Sequence, residues 1–116
     1  MNIEYSQNLR SKMLNSELDN ILLDNVVRLS FVKKTDGSIR IMLCTKAYDL
    51  LNSAEGANML GYHQPSGSPR YNVNEANNVI VWDIERRDYR TVSCDTVKIL
   101  NVVPQEKYLA RLRLND

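Results

Sequence analysis

The residues best able to do chemistry are few and scattered. His63 is the single histidine, close to Pro65, Gly67 and Pro69. Acid–base or nucleophilic work would need Cys44, Cys94 or a serine beside it, and nothing in the spacing places one there. A lone histidine in such a loop reads first as a solvated side chain. No Cys/His cluster has metal-ligand spacing, and four scattered glycines do not form a phosphate-cradling loop. Cys44 and Cys94 each lie in an apolar run, which reads as two buried, reduced thiols; a disulfide would require a secreted setting. We therefore expect no catalytic residue, no metal ligand and no cofactor, and a protein that is not an enzyme.

Cations beside aromatic rings offer a different chemistry. Arg86, Arg87 and Arg90 flank a short polar link, with Tyr89 among them. The guanidinium fork suits phosphate, and an aromatic ring can stack on a base. Residues 26–46 carry Arg28, Lys33, Lys34, Arg40 and Lys46 against Asp36, a local charge of +4, although the whole chain carries only +1. Any attraction to an anion must therefore be local. Arg28, Lys33, Lys34, Arg40, Tyr62, Arg86, Arg87 and Tyr89 are the candidate residues for binding nucleic acid or a nucleotide. The competing reading is a solvated strand face whose lysines blunt an edge, and a charged turn in which Arg90 pairs with Asp83 or Asp95. For Arg90 itself we expect the structural pair. Tyr62, His63, Arg70 and Tyr71 either close over a ligand or belong to a mobile insertion. Trp82 reads as a core anchor, with a stacking platform as the alternative.

These residues need elements to hold them. At 116 residues the chain is expected to be one domain with a modest core. Residues 3–24 are expected to be helical, because Leu14, Leu18, Ile21 and Leu22 fall on one face that Leu9 and Met13 extend. Ser16 with Asp19 suggests a capping box inside that stretch. Residues 26–33 and 38–45 alternate like strands around Asp36-Gly37, a strong hairpin signal. Ile39, Ile41 and Leu43 take one face of the second strand, and Arg40, Met42 and Cys44 the other. Residues 46–52 look helical, with Gly56 as a stop. The stretch 61–77 is a long Pro/Gly loop, of the kind that is more often functional or disordered than structural. Residues 79–84, 89–94 and 97–103 read as three further strands, ended by Pro104. The tail, residues 105–116, fits an edge strand or a helix equally well. The expected fold is mainly β: a small five-stranded SH3/Sm-like barrel spanning 26–104 behind a helical segment at 1–25.

Two runs carry a family resemblance. Lys34, Asp36, Gly37, Arg40, Met42, Cys44 and Thr45, followed by Val79, Val81, Trp82, Asp83, Arg90, Asp95 and Val97, resemble the WYL-like proteins of tailed bacteriophages. The match covers about Val26 to Val103. It implies an Sm-like SH3 β-barrel related to the WYL domains of transcription regulators and defence proteins, which look like sensors of nucleotides or nucleic acid. It implies no catalysis. Twenty-five helical residues are too few for a winged helix, so direct promoter binding is not expected. No charged-then-apolar leader opens the chain and no apolar run approaches ~18 residues, so the expected setting is the host cytoplasm, with no membrane partner. The reading is a non-enzymatic, phage-encoded regulatory binding module for nucleic acid or a nucleotide. The alternative is a protein–protein module that inhibits a host protein. Homo-oligomerisation stays open.

Overall fold

Val27, Leu29 and Phe31 alternate with Arg28, Ser30 and Val32, and a period of two commits such a run to a pleated strand. In the computed structural model, which describes residues 13–63 and 76–115, this strand is β1 (Asn25–Val32). It turns at Asp36-Gly37 into β2 (Ile39–Thr45). Gly37 takes φ +73°, and the Asp36 carboxylate accepts from the Ser38 amide and hydroxyl at 3.0 and 2.7 Å. The turn chemistry is therefore local. A second hairpin joins β3 (Asn78–Asp83) to β4 (Asp88–Ser93), and β5 (Lys98–Pro104) returns alongside β1.

The five strands form one antiparallel sheet in the order β4-β3-β2-β1-β5. A sheet of this order closes into a barrel only if β4 pairs with β5. No such ladder occurs among the described residues, so the expected barrel is an open sheet. A 3₁₀ turn, Cys94–Thr96, carries the chain from one edge to the other, which requires a strongly curled sheet. At that corner the Val32 amide donates to Thr96 Oγ1 at 2.9 Å. A side chain thus satisfies this edge of β1 beyond the last β1–β5 pair, Ser30–Lys98, while Val32 still pairs with Ile39 of β2. The seam between the hairpins is also short: β2 and β3 pair only at Cys44–Asp83 and Thr45–Trp82.

Helices cover both faces, so the domain is mixed α/β, and its helix is not confined to the N-terminal segment. On the inner face Val27, Leu29, Phe31, Met42, Val81 and Val92 pack with Leu18 and Leu22 of α1 (Asn15–Leu22). Leu14 stands just outside that helix with its side chain exposed, and its amide donates to Glu17 Oε1 at 3.0 Å. The expected Ser16–Asp19 cap does not form; Asp19 instead bonds the Lys46 ammonium. Residues 1–12, with Leu9, lie outside the described residues.

On the outer face Val26, Leu50, Leu51, Leu60 and Trp82 form a second cluster beneath α2 (Tyr48–Asn52), α3 (Ala54–Leu60) and α4 (Gln105–Asn115). Gly56, expected as a helix stop, lies inside α3. The Ser53 hydroxyl caps that helix by accepting the Gly56 amide at 2.9 Å. A Cβ at Gly56 would sit 1.9 Å from the Leu50 carbonyl oxygen, so close backbone approach is what requires glycine there. Gly61, at φ +67°, ends α3 instead. The tail is the helix α4, anchored by the Gln105 side chain, whose Oε1 accepts the Leu50 amide at 3.0 Å. Among the described residues no helix is long and apolar enough to cross a membrane.

A candidate anion-binding cleft

Pleat parity places Arg40 on the same side of β2 as Met42 and Cys44. It therefore points inward, towards the parity positions Val79, Val81 and Asp83 of β3. Arg40 Nη2 donates to Asp83 Oδ2 at 3.2 Å, and the Arg86 amide donates to Asp83 Oδ1 at 3.1 Å. The Asp83 side chain is 2% exposed and that of Arg40 16%. A carboxylate taken this far from water needs both a cation and hydrogen bonds. The sequence reading offered Arg90 either Asp83 or Asp95 as a partner; Arg40 takes Asp83, and the carboxylate beside Arg90 is Asp88.

Arg90 reaches the cleft instead. A cavity of about 260 Å³ opens between the end of the first hairpin and β4. Lys33, Lys34, Arg40 and Arg90 line it, over an apolar floor of Phe31 and Met42. Thr35, Asn78, Thr91 and Ser93 complete the wall. Arg90 Nη1 donates to the Tyr89 carbonyl at 3.1 Å and lies 3.4 Å from Asp88 Oδ2. Lys33 Nζ lies 3.8 Å from Asp36. Lys34 has no ion-pair partner among the described residues. Asn78 Oδ1 is buried with no hydrogen-bond partner there.

The eight sequence candidates do not share one face. Lys33, Lys34 and Arg40 meet in the cleft. Arg28 is on the outer side, 3.8 Å from Glu85. Arg87, in the left-handed region at φ +56°, donates from Nη2 to the Met59 carbonyl at 3.3 Å and packs over Gly61. It ties the β3–β4 turn to the end of α3. Arg86 is exposed in that turn and does not line the cleft.

Tyr62 and Tyr89 belong to an aromatic cluster on the outer face, with Trp82 at its centre. Tyr62, His63 and Tyr89 each meet the Trp82 indole edge-on, at centroid distances of 5.1, 5.1 and 5.0 Å. Trp82 is 1% exposed, and its Nε1 donates to the Leu60 carbonyl at 3.3 Å. The core reading of Trp82 holds, and no ring face is left for stacking. The Tyr89 hydroxyl donates to the His63 carbonyl at 2.9 Å and bonds the Tyr62 hydroxyl at the same distance. Burial, then the Tyr62 hydrogen bond, holds the Tyr89 phenol well above its ordinary pKa. Arg70 and Tyr71 lie outside the described residues.

Cys44 and Cys94 are buried and unpaired. Burial first, then nearby Asp83, pushes the Cys44 thiol far up; burial, then Asp95, pushes Cys94 up to about 12. Such thiols are not thiolates at neutral pH. Sequence reasoning missed Arg90 as a cleft residue and Asp83 as a buried anion. The alternation Val79, Val81, Asp83 was the available signal. It places Asp83 on the inner face, where a carboxylate must find a cation.

Searches against protein-family models, curated proteins and solved structures match nothing to this chain.

Proposed function

We propose that the chain is a non-enzymatic regulatory module that binds an anionic ligand, a nucleotide or a nucleic-acid phosphate, in the cleft between its two hairpins. The observation that carries this reading is the convergence of Lys33, Lys34, Arg40 and Arg90 on one concave, apolar-floored surface. Pockets with a few convergent polar groups over an apolar floor are the default binding sites of small domains. The strand order β4-β3-β2-β1-β5, an antiparallel sheet left open between β4 and β5, supports the small-barrel part of this reading, and the phage WYL-like part rests on the sequence resemblance alone. A phage-encoded module of this kind acts in the host cytoplasm.

Titration with nucleotides and labelled single and double strands at two salt concentrations tests this. Binding should weaken with salt, and Lys33→Ala/Lys34→Ala should abolish it while Arg28→Ala leaves it unchanged. Binding lost equally in Arg28→Ala would move the site off the cleft.

One observation favours the second reading, a module that binds and inhibits a host protein. Ile39 and Ile41 are 73% and 59% exposed on β2, where β3 has already departed. An interface there would be apolar, insensitive to salt, and lost in Ile39→Lys/Ile41→Lys.

A further inference from the structure

Resting on that anion-binding reading, we infer that the cleft takes a single phosphate group carried on a compact, flat or apolar body. A phosphomonoester has this form, whether a free nucleoside monophosphate or the phosphorylated end of a strand. A run of backbone phosphates does not fit. Charge is the first argument. The four cations of the cleft face three carboxylates, Asp36, Asp83 and Asp88, which leaves a net charge of +1. A phosphomonoester carries about −1.5 to −2. One further cation must be released for it, and two exposed pairs can supply it: Lys33–Asp36 at 3.8 Å, where Ser38 also holds the carboxylate, and Arg90–Asp88 at 3.4 Å. Asp83 is buried and doubly bonded, so Arg40 stays where it is. Asp88 is 56% exposed and meets Arg90 at 3.4 Å, long for a charge-assisted bond. Its Oδ1 accepts the Tyr89 amide at 2.8 Å, while its exposed Oδ2 can exchange Arg90 for water at little cost. Asp88 therefore competes with the ligand for Arg90, while Lys34 is the standing contact.

Space and surroundings give the second argument. A cavity of about 260 Å³ lies at or below the small end of ligand sites and holds one such unit. Phe31 and Met42 offer its body an apolar wall. Among the described residues no basic track leads onward for further phosphates: Arg28 faces Glu85 on the other side of the sheet, and Arg87 is bonded to the Met59 carbonyl.

The test is calorimetric titration of the full chain with inorganic phosphate, adenosine mono- and triphosphate, and a long single strand with and without a 5′-phosphate. The monophosphate should bind within about threefold of the triphosphate, with a log–log salt slope of about −1 to −2. Lys34→Ala should weaken binding about tenfold or more. Asp88→Asn should strengthen it by about two- to fivefold, the worth of an exposed ion pair. A phosphorylated strand that matches the monophosphate while the unphosphorylated one fails would identify strand ends as a source; binding of the free nucleotide alone would identify that instead. Affinity that climbs steeply with phosphate number, or is equal for both strands, overturns the single-phosphate inference and leaves anion binding standing. No gain in Asp88→Asn overturns the competition. Silence from every probe at low salt overturns the anion-binding reading itself.

Discussion

The outer face around Trp82 and the inner-face cleft draw on the same hairpins, yet one is closed and the other open. Around Trp82 the edge-on rings fill the space between them, and the polar tips of Trp82 and Tyr89 are bonded. In the cleft, cations outnumber their carboxylates and the walls do not meet. The difference follows from coverage. Three helices lie over the outer face, whereas α1 covers only part of the inner one. Where the hairpins splay beyond their short seam, no described residue fills the gap. A filled cluster holds the fold, and a gap lined by partly satisfied charges is what a ligand can use.

Breaking the closed side should have the largest effect. Trp82→Ala should cost roughly 3–5 kcal/mol, because a large ring is removed from a packed site. Urea unfolding measures this, and a variant as stable as the parent would mean that the cluster does not organise the outer face.

The next effect lies where the two regions meet. Arg40→Ala should cost about 3 kcal/mol or more by leaving Asp83 buried without its cation. Arg40→Met/Asp83→Leu should recover most of that loss. If the double variant were no better than the single one, Asp83 would not be the reason for the loss.

The smallest effect is a pH dependence of the closed side. The folded chain holds the Tyr89 proton above the ordinary tyrosine value of 10.0, because burial and Tyr62 favour the neutral phenol. The folded state thus binds this proton more tightly than the unfolded state does. Stability should be level below about pH 10 and fall as pH rises beyond it. Tyr89→Phe should flatten that fall in urea midpoints taken at mildly and strongly alkaline pH. An unchanged slope would assign the dependence to other groups, Tyr108 first, since burial raises it too.

Local signals were legible and proved dependable. The Asp-Gly turn, the period-two runs and the β-branched stretch ending in Trp82 each describe neighbours along the chain, and each element formed close to its expected bounds. Gly56 and the tail were harder. What a glycine does depends on whether a second backbone comes close, here the Leu50 carbonyl. The tail's apolar residues suit two periods, and only docking of Tyr108, Leu109 and Leu112 on the outer cluster selects the helix.

The amino-acid sequence by itself therefore determined the strands, the first turn, the buried tryptophan and the basic character of the first hairpin, because these depend on residue type and on spacings of two to four. Tertiary structure alone decided that the sheet stays open and that Arg40, not Arg90, answers Asp83. It also decided which cations share a cleft and which are separated by the thickness of the sheet. Those outcomes depend on distances between residues some forty or more positions apart, as Arg40 and Asp83 are, and hairpin curvature, not composition, sets such distances.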